Sequence, residues 1–193
     1  MIITDQTIYN GDFIHQRFAY KYFRDRTLPI GNIVSFVVPV EVTINLIDLE
    51  DSLENDYIYS DSMVNFCWEI PNLDPFGAVC FQRLFNTTIA NILHKIINKP
   101  IEMKGDDIMV HSEFTQGGVI QQKGKASVSI TYSKDNIAIG HTGVNVVAGK
   151  KAPAFAYSTN LTPEQTVQFQ NAVIDQFYTM VDNIFIATTK ITL

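Results

Sequence analysis

The sequence predicts a single α+β domain over residues 1–193, in which a mixed or antiparallel sheet packs with helices. Apolar residues recur at three- and four-residue spacings over 76–97, which is typical of an amphipathic helix. A second long helix is predicted over 162–191, where Thr162 is the candidate N-cap and Pro163 the first helical residue. Between the two helices the periodicity changes to two residues, which predicts strands. A length of 193 residues fits one domain.

The segment before the first long helix contains a short helix, two strands and an acidic stretch. Residues 13–23 predict the helix. The β-branched run 32–42 predicts a buried strand that bulges or ends at Pro39. The segment 44–61 is rich in carboxylates, and residues 61–71 predict the second strand.

Three further strands are predicted between the long helices. They cover 106–114, 125–133 and 136–149, and the first two are joined by the turn-forming string TQGGVIQQKG. Because they follow one another closely, we expect them to form an antiparallel meander.

Composition and charge argue against several classes of function. The net charge of −6 and the pI of about 5.1 provide no basic field for nucleic acid or an anionic membrane. No apolar run reaches the roughly 18 residues of a membrane span. Cys67 and Cys80 lack a zinc-binding spacing and lie in apolar stretches, which predicts two buried thiols. The polar N-terminus has no signal-peptide pattern, so we expect a cytoplasmic protein.

Three strings resemble motifs of the biotin and lipoate protein ligases. RDRTLPIGNIVSF (24–36) resembles the arginine-rich loop of the biotin ligases, and 105–130 resembles their Pro-Asn-Asp-Leu strand followed by a lysine strand. NIAIGHTGVNVV (136–147) resembles their apolar-Gly-x-Gly-apolar-Asn-Val strand. The resemblance implies the ligase catalytic-domain fold, which is similar to class II aminoacyl-tRNA synthetase cores. The length and the strings IDLED and GDDIMV resemble still more an uncharacterised prokaryotic family of that fold.

Two departures from the ligase pattern bear on chemistry. The loop 24–36 has one glycine where the ligases have two or more, which weakens the expectation of an adenylate intermediate. No cysteine follows Val147, so the cysteine acyl-enzyme of octanoyl and lipoyl transferases is excluded at that position.

Lys125 is the candidate catalytic residue that the resemblance implies. In the ligases this lysine holds a carboxylate or acyl-phosphate oxygen and stabilises charge during transfer. Lys125 is predicted to begin a strand, and small residues such as Ser127 would let a ligand lie against the sheet. Lys123 is the second candidate, and the alternative is a solvated lysine at a strand end.

The loop before the first strand supplies candidate ligand-binding residues. Arg24 and Arg26 are predicted to bind phosphate or carboxylate, and Gly31 and Asn32 to shape the turn. Arg17 is a neighbouring candidate in the aromatic string IHQRFAY. A surface loop with ion pairs is the alternative.

The later strands add five candidates. Asp106 and Asp107 face opposite sides of a strand, so one is predicted to bind a ligand nitrogen or an acceptor amine, and the other to lie in a turn. His141, Gly143 and Asn145 share one strand face. His141 is a candidate for acid–base catalysis and Gly143 for close approach of a ligand. A buried structural histidine is an equal alternative.

Asp48, Glu50 and Asp51 are weak candidates for binding Mg²⁺ through oxygen ligands, and a solvated acidic loop is the interpretation that we favour. No other metal site is expected.

The predicted function is that of a ligase or acyltransferase that binds a small carboxylic acid, with ATP and Mg²⁺ as the co-reactants implied, and transfers it to an amine. One alternative is a non-catalytic small-molecule-binding protein of the same fold, and another is an acyl-CoA-type or amide-forming transferase that needs no ATP. An exposed strand edge and the apolar strand 32–42 also predict a homodimer.

Overall fold

The computed structural model describes residues 1–15, 17–23, 31–43, 46, 48–54 and 56–190. A short 3-10 helix, Phe18–Lys21, precedes the first strand. The strands and α-helices then follow in this order: β1 (Asn32–Val42), α1 (Leu49–Glu54), β2 (Ile58–Pro71), α2 (Pro75–Ile97), β3 (Ile101–Lys104), β4 (Asp107–Gln116), β5 (Val119–Lys125), β6 (Ser127–Lys134), β7 (Ile137–Val147) and α3 (Pro163–Thr188).

The main sheet has the strand order β1-β2-β7-β6, and every neighbouring pair is antiparallel. One face is covered by α2 and α3, where Trp68, Phe85 and Phe177 are fully buried. The opposite face is covered by the N-terminal segment, which contributes Tyr9 and Ile14 to a second apolar cluster. Because both faces are covered, the central strand β2 is continuously buried over residues 63–68 instead of alternating.

The N-terminal segment also pairs with the outer edge of β1. Ile2 bridges to Ser35 and Tyr9 bridges to Val40, both in parallel orientation. These contacts cover part of the apolar strand edge on which the homodimer prediction rests, so that prediction now depends on other edges.

A second, smaller sheet has the order β3-β4-β5 and is antiparallel. Its hairpin turns at Gly117 and Gly118, which have φ angles of 57° and 79°. Positive φ at both central residues is the requirement of a two-residue type I′ hairpin, and glycine meets it without a Cβ penalty. Lys125 ends β5, and Ala126 lies between the two sheets.

The predicted α+β class with antiparallel strands is confirmed. The strand over 32–42 is β1, and its register shifts between Val38 and Val40, which is the irregularity expected at Pro39. The two long helices are α2 and α3, and α3 begins with the capping box of Thr162 and Gln165.

Four sequence predictions are wrong. Lys125 ends β5 instead of beginning a strand, because residues 119–125 pair with β4 instead of forming a turn. The helix over 13–23 is only the 3-10 turn Phe18–Lys21, because Arg17 takes left-handed backbone angles with φ 64°. The meander is divided between two sheets, since β4 pairs with β3 and β5 while β6 pairs with β7. Cys80 is exposed, and Cys67 is the buried thiol. None of the helices within the described ranges is long and apolar enough to cross a membrane.

Candidate functional site

A cavity of about 320 Å³ lies against the face of the main sheet that the N-terminal segment covers. It is bounded by β6 and β7, by the segment around the start of β2, and by the beginning of β4 and the end of β5. Its apolar walls include Ile14, Val128, Ile130 and Phe155. The size is at the low end of small-molecule sites, which hold a ligand among mostly apolar side chains with a few polar groups.

Lys125 and Asp107 form an ion pair at this cavity, with Nζ and Oδ1 2.8 Å apart. Both side chains are about 70% covered, with relative exposures of 30% and 28%. The backbone of Lys125 is fixed because its N–H donates to Phe155 O at 2.8 Å and its carbonyl accepts from Tyr157 N–H at 2.9 Å. The ammonium group is therefore presented from a well-held strand end rather than from a loop.

Asp106 is held by a different set of partners. Its carboxylate accepts a hydrogen bond from Ser129 Oγ at 2.7 Å and forms an ion pair with Arg83 of α2. Burial by itself would raise the pKa of Asp106, but the Ser129 hydrogen bond and the Arg83 guanidinium together lower it below its usual value. The two neighbouring aspartates thus each have their own cation. Both nevertheless line the same cavity, although strand alternation predicted opposite faces.

Ser129 connects Asp106 to helix α2. Its Oγ accepts hydrogen bonds from Gln82 Nε2 and Asn86 Nδ2, both at 2.9 Å. Asn86 in turn accepts from Thr142 Oγ1 at 2.7 Å. These buried polar groups form a connected network that fixes the acidic edge of the cavity, and losing one member would leave others without partners.

His141 lies buried on the β7 face that borders the cavity. Its ring stacks on Tyr9 with centroids 4.1 Å apart, and Nε2 lies 2.9 Å from Asn65 Oδ1. Since Asn65 Nδ2 donates to Met63 O, the amide oxygen is the acceptor and His141 Nε2 is the donor. Burial lowers the pKa of His141 to about 3. The neutral ring therefore offers a lone pair at Nδ1 and is not an acid near neutral pH.

Asn145 lies two positions beyond Gly143 on the same strand face. Its backbone N–H donates to Ala126 O at 2.8 Å, and its carbonyl accepts from Thr159. The side chain is 4% exposed and lines the cavity, and Oδ1 has no hydrogen-bond partner within the described part of the chain. Buried polar atoms almost always have a partner, so this oxygen is an available acceptor.

Two predicted ligand contacts have packing roles in the structure. Ser127 Oγ accepts from the N–H of Ile108 at 2.9 Å, so it joins β6 to β4 at the cavity edge. A Cβ on Gly143 would collide with the side chain of Met63, so packing by itself requires glycine at this position.

The remaining predicted residues lie elsewhere or are not described. Arg24 and Arg26 lie outside the described residues. Arg17 is part of a separate, open surface cavity with Phe13 and Tyr22. Lys123, the second candidate lysine, is bound to Glu102 at 3.2 Å and does not line the main cavity.

Asn32 begins β1, and Gly31 precedes it with a φ of 137°. Asn32 Oδ1 is buried with no partner among the described residues. Asp48 lines the main cavity, whereas the side chains of Glu50 and Asp51 are outside the description. Across the described ranges, no group of three His, Cys, Asp or Glu side chains could hold a metal ion.

Sequence reasoning missed Tyr9 and Asn65, which hold His141. Tyr9 has no local signal, because its bridge to Val40 of β1 and its stacking on His141 of β7 both join it to residues far along the chain. Asn65 did carry a signal, since it is a polar residue within the buried run of β2.

A family model matches residues 1–192, and its description is Domain of unknown function (DUF366). The chain belongs to the DUF366 family. No curated protein matches its sequence. Among solved structures, a protein of unknown function from Pyrococcus horikoshi is similar, with a TM-score of 0.77 and 22% identity over 100% of this chain and 97% of that one.

Two ligases are also similar to this DUF366 chain. The biotin protein ligase from Aquifex aeolicus, solved with biotin and ATP, has a TM-score of 0.50 and 11% identity over 91% of this chain and 68% of that chain. LipL1 of P. falciparum, solved with lipoate, has a TM-score of 0.51 and 14% identity over 90% of this chain and 61% of that chain. The chain therefore has the fold of the biotin and lipoate protein ligases, as its motifs predict.

Proposed function

We propose that this DUF366 protein binds a small carboxylic acid in the cavity beside Lys125 and transfers its acyl group to an amine. The single observation that carries the proposal is the Lys125 ammonium group, which lies at a cavity with apolar walls and comes from a fixed strand end. The lysine motif of the ligases, on the same fold, supports this role for Lys125. Binding of biotin and of lipoate by the two similar ligases supports a carboxylic acid as the ligand.

The chemistry assigned to Lys125 is electrostatic. Its ammonium group donates hydrogen bonds to the carboxylate in the bound state and to the carbonyl oxygen as negative charge develops there during acyl transfer. Asp107 orients the ammonium group before binding and is the candidate partner for the N–H of the acceptor amine. His141 keeps its place as a candidate catalytic residue only as a hydrogen-bond acceptor, because the ring is neutral.

ATP with Mg²⁺ is the co-reactant that the resemblance implies, and it would supply the leaving group for the carboxylate. The described residues at the cavity do not fit a triphosphate, since Lys125 and Arg83 already have aspartate partners and several aspartates line the walls. We therefore assign no step to ATP. Transfer to an amine then requires that the acyl group arrives as a thioester, whose thiol departs as the amine nitrogen bonds to the carbonyl carbon. Arg24 and Arg26 remain the residues proposed to bind phosphate or carboxylate.

The same ion pairs favour a second candidate, a non-catalytic protein that binds a small molecule. A catalytic cation must be able to stabilise new negative charge, and in this structure Lys125 is neutralised by Asp107 at 2.8 Å. A protein that only binds its ligand does not need Lys125 to leave Asp107 and stabilise charge on a substrate.

The experiment is thermal unfolding with a panel of biotin, lipoate, octanoate and free amino acids, each with and without ATP and Mg²⁺. A ligand at about 100 times its Kd adds roughly 2.7 kcal/mol, which raises Tm by about 5–10 °C for a domain of this size. We expect Lys125→Ala to abolish the shift. Lys123→Ala is the matched control, because it removes a lysine from the same strand outside the cavity.

The outcomes separate the candidates. Carboxylic acid binding that depends on Lys125, together with pyrophosphate release on addition of ATP, supports the ligase. The same binding with no ATP response and no acyl transfer supports the non-catalytic protein. The carboxylic acid site is wrong if no acid binds or if Lys125→Ala binds as well as the wild type.

A further inference from the structure

The described walls of the cavity carry more negative than positive side chains. Lys125 is the one lysine or arginine among these lining residues, whereas four aspartates line the cavity: Asp48, Asp56, Asp106 and Asp107. Arg83 offsets Asp106 from beside the cavity. A ligand that brought only a carboxylate would add negative charge beside these aspartates, and one that also brought a positive charge would be better matched.

The Lys125–Asp107 ion pair also favours a ligand that carries both a negative and a positive charge. If a bare carboxylate took Lys125 as its partner, Asp107 would lose the cation 2.8 Å away while its side chain remained 28% exposed. Leaving one member of a largely covered ion pair without a partner is costly. A ligand with an ammonium group next to its carboxylate avoids this loss, because the carboxylate binds Lys125 and the ammonium group binds Asp107.

Asn145 provides an independent observation in the same part of the cavity. Its side chain is 96% buried and its Oδ1 has no partner among the described residues. Its backbone N–H is bonded to the carbonyl of Ala126, the residue after Lys125, and Asn145, Lys125 and Asp107 all line the same cavity. A carbonyl oxygen can only accept hydrogen bonds, and its missing partner must be an N–H or O–H donor.

We propose that the ligand is an amino acid in its zwitterionic form, with the ammonium and carboxylate groups on the same or adjacent carbon atoms. The carboxylate binds Lys125, and the ammonium group binds Asp107 and the Asn145 carboxamide oxygen. The rest of the ligand lies along the apolar wall of Val128 and Ile130. This inference rests on the proposed carboxylic acid site and narrows its ligand class.

The test compares matched probes by isothermal titration calorimetry. After a thermal-shift screen of the standard amino acids, the best binder is compared with the acid that lacks its amino group and the amine that lacks its carboxylate. For leucine these are 4-methylpentanoate and 3-methylbutylamine. A hydrogen-bonded charge contributes enough that we expect the amino acid to bind at least about tenfold more tightly than either relative.

Variants connect this preference to its residues. Asn145→Leu keeps the size of the side chain and removes the acceptor, and Asp107→Asn keeps the shape and removes the charge. We expect each to weaken amino acid binding by at least about tenfold. Asn145→Leu should change 4-methylpentanoate binding much less, and Asp107→Asn should strengthen it, because Lys125 loses the partner with which the acid competes. Asn91→Leu, at an exposed position of α2 outside the cavity, is the control and should bind like the wild type.

The results distinguish failure of this inference from failure of the proposed function. If 4-methylpentanoate binds the wild type as tightly as leucine, the amino acid is wrong and the carboxylic acid site stands. If neither amino acids nor simple acids bind, both are wrong. If the Asn145→Leu protein is unfolded by circular dichroism, Asp107→Asn decides alone, and equal loss of both probes in that variant overturns recognition of the ammonium group.

Discussion

His141 gives the sharpest quantitative prediction, because a single buried group should dominate the loss of stability at mildly acidic pH. The imidazole is enclosed by Tyr9 and bonded to Asn65, and burial lowers its pKa from the usual 6.5 to about 3. In the unfolded chain the ring takes up a proton below pH 6.5, and in the folded protein it does not. Stability from this group is therefore complete above pH 6.5 and is lost as the pH falls toward 3.

The magnitude follows from the usual pKa, since the folded ring stays neutral at pH 5. The gap of about 1.5 pH units between pH 5 and the unfolded pKa is worth about 2 kcal/mol. We expect the wild type to lose about that much more than His141→Gln between pH 7.5 and pH 5. The variant has its own cost at both pH values, so the comparison uses the difference between them.

The assay is urea unfolding followed by circular dichroism at fixed ionic strength, at both pH values. His111→Gln is the control, because His111 is an exposed histidine bonded to Glu102 at the surface. It should not reproduce the smaller loss of stability that we expect of His141→Gln. The reasoning is refuted if His141→Gln loses as much stability as the wild type, or if NMR shows the His141 ring titrating near pH 6.5.

Two further predictions concern packing and the acidic edge of the cavity. Gly140→Ala should lower the free energy of unfolding by about 1–3 kcal/mol or more, because the added Cβ would collide with the fully buried indole of Trp68. Gly117→Ala is the control in the same urea assay. It has open space around it, so it should cost only the backbone strain of the substituted residue. Ser129→Ala should cost about 1–3 kcal/mol, since Gln82 loses its acceptor, Asn86 loses one of two acceptors and Asp106 loses a donor. If Ser129→Ala unfolds at the wild-type urea concentration, the network is not structural.

The sequence was most informative where periodicity is strong. The β-branched run over 32–42 forms β1, and the spaced apolar residues over 76–97 form α2, as expected. The sequence did not predict correctly which strands pair with each other. Alternation identifies a strand but not its neighbour, so the meander over β4, β6 and β7 was wrong. The two glycines at the tip of the β4–β5 hairpin were the local signal for the correct pairing.

The candidate site was predictable in part for the same reason. His141 and Asn145 lie on one face because strand alternation requires it, and Lys125 and Asp107 meet because β4 and β5 pair. Ser127 was also predicted to contact the ligand, but its hydroxyl joins β6 to β4 at the point where the chain passes from one sheet to the other. The partners of His141 come from distant parts of the chain, and no local pattern specifies such contacts.

The ion pair of Lys125 and Asp107 links the question of catalysis to the identity of the ligand. At 11–14% identity the similarity to ligases extends to the backbone alone, so the chemistry depends on these side chains. Lys125 can stabilise charge on a substrate only if Asp107 finds another cation when the pair opens. An ammonium group on the ligand would be that cation, and it would then leave Lys125 available to the carboxylate. If binding of a zwitterion is found, the pairing seen here is no obstacle to acyl transfer; if only simple acids bind, the paired lysine favours the non-catalytic protein.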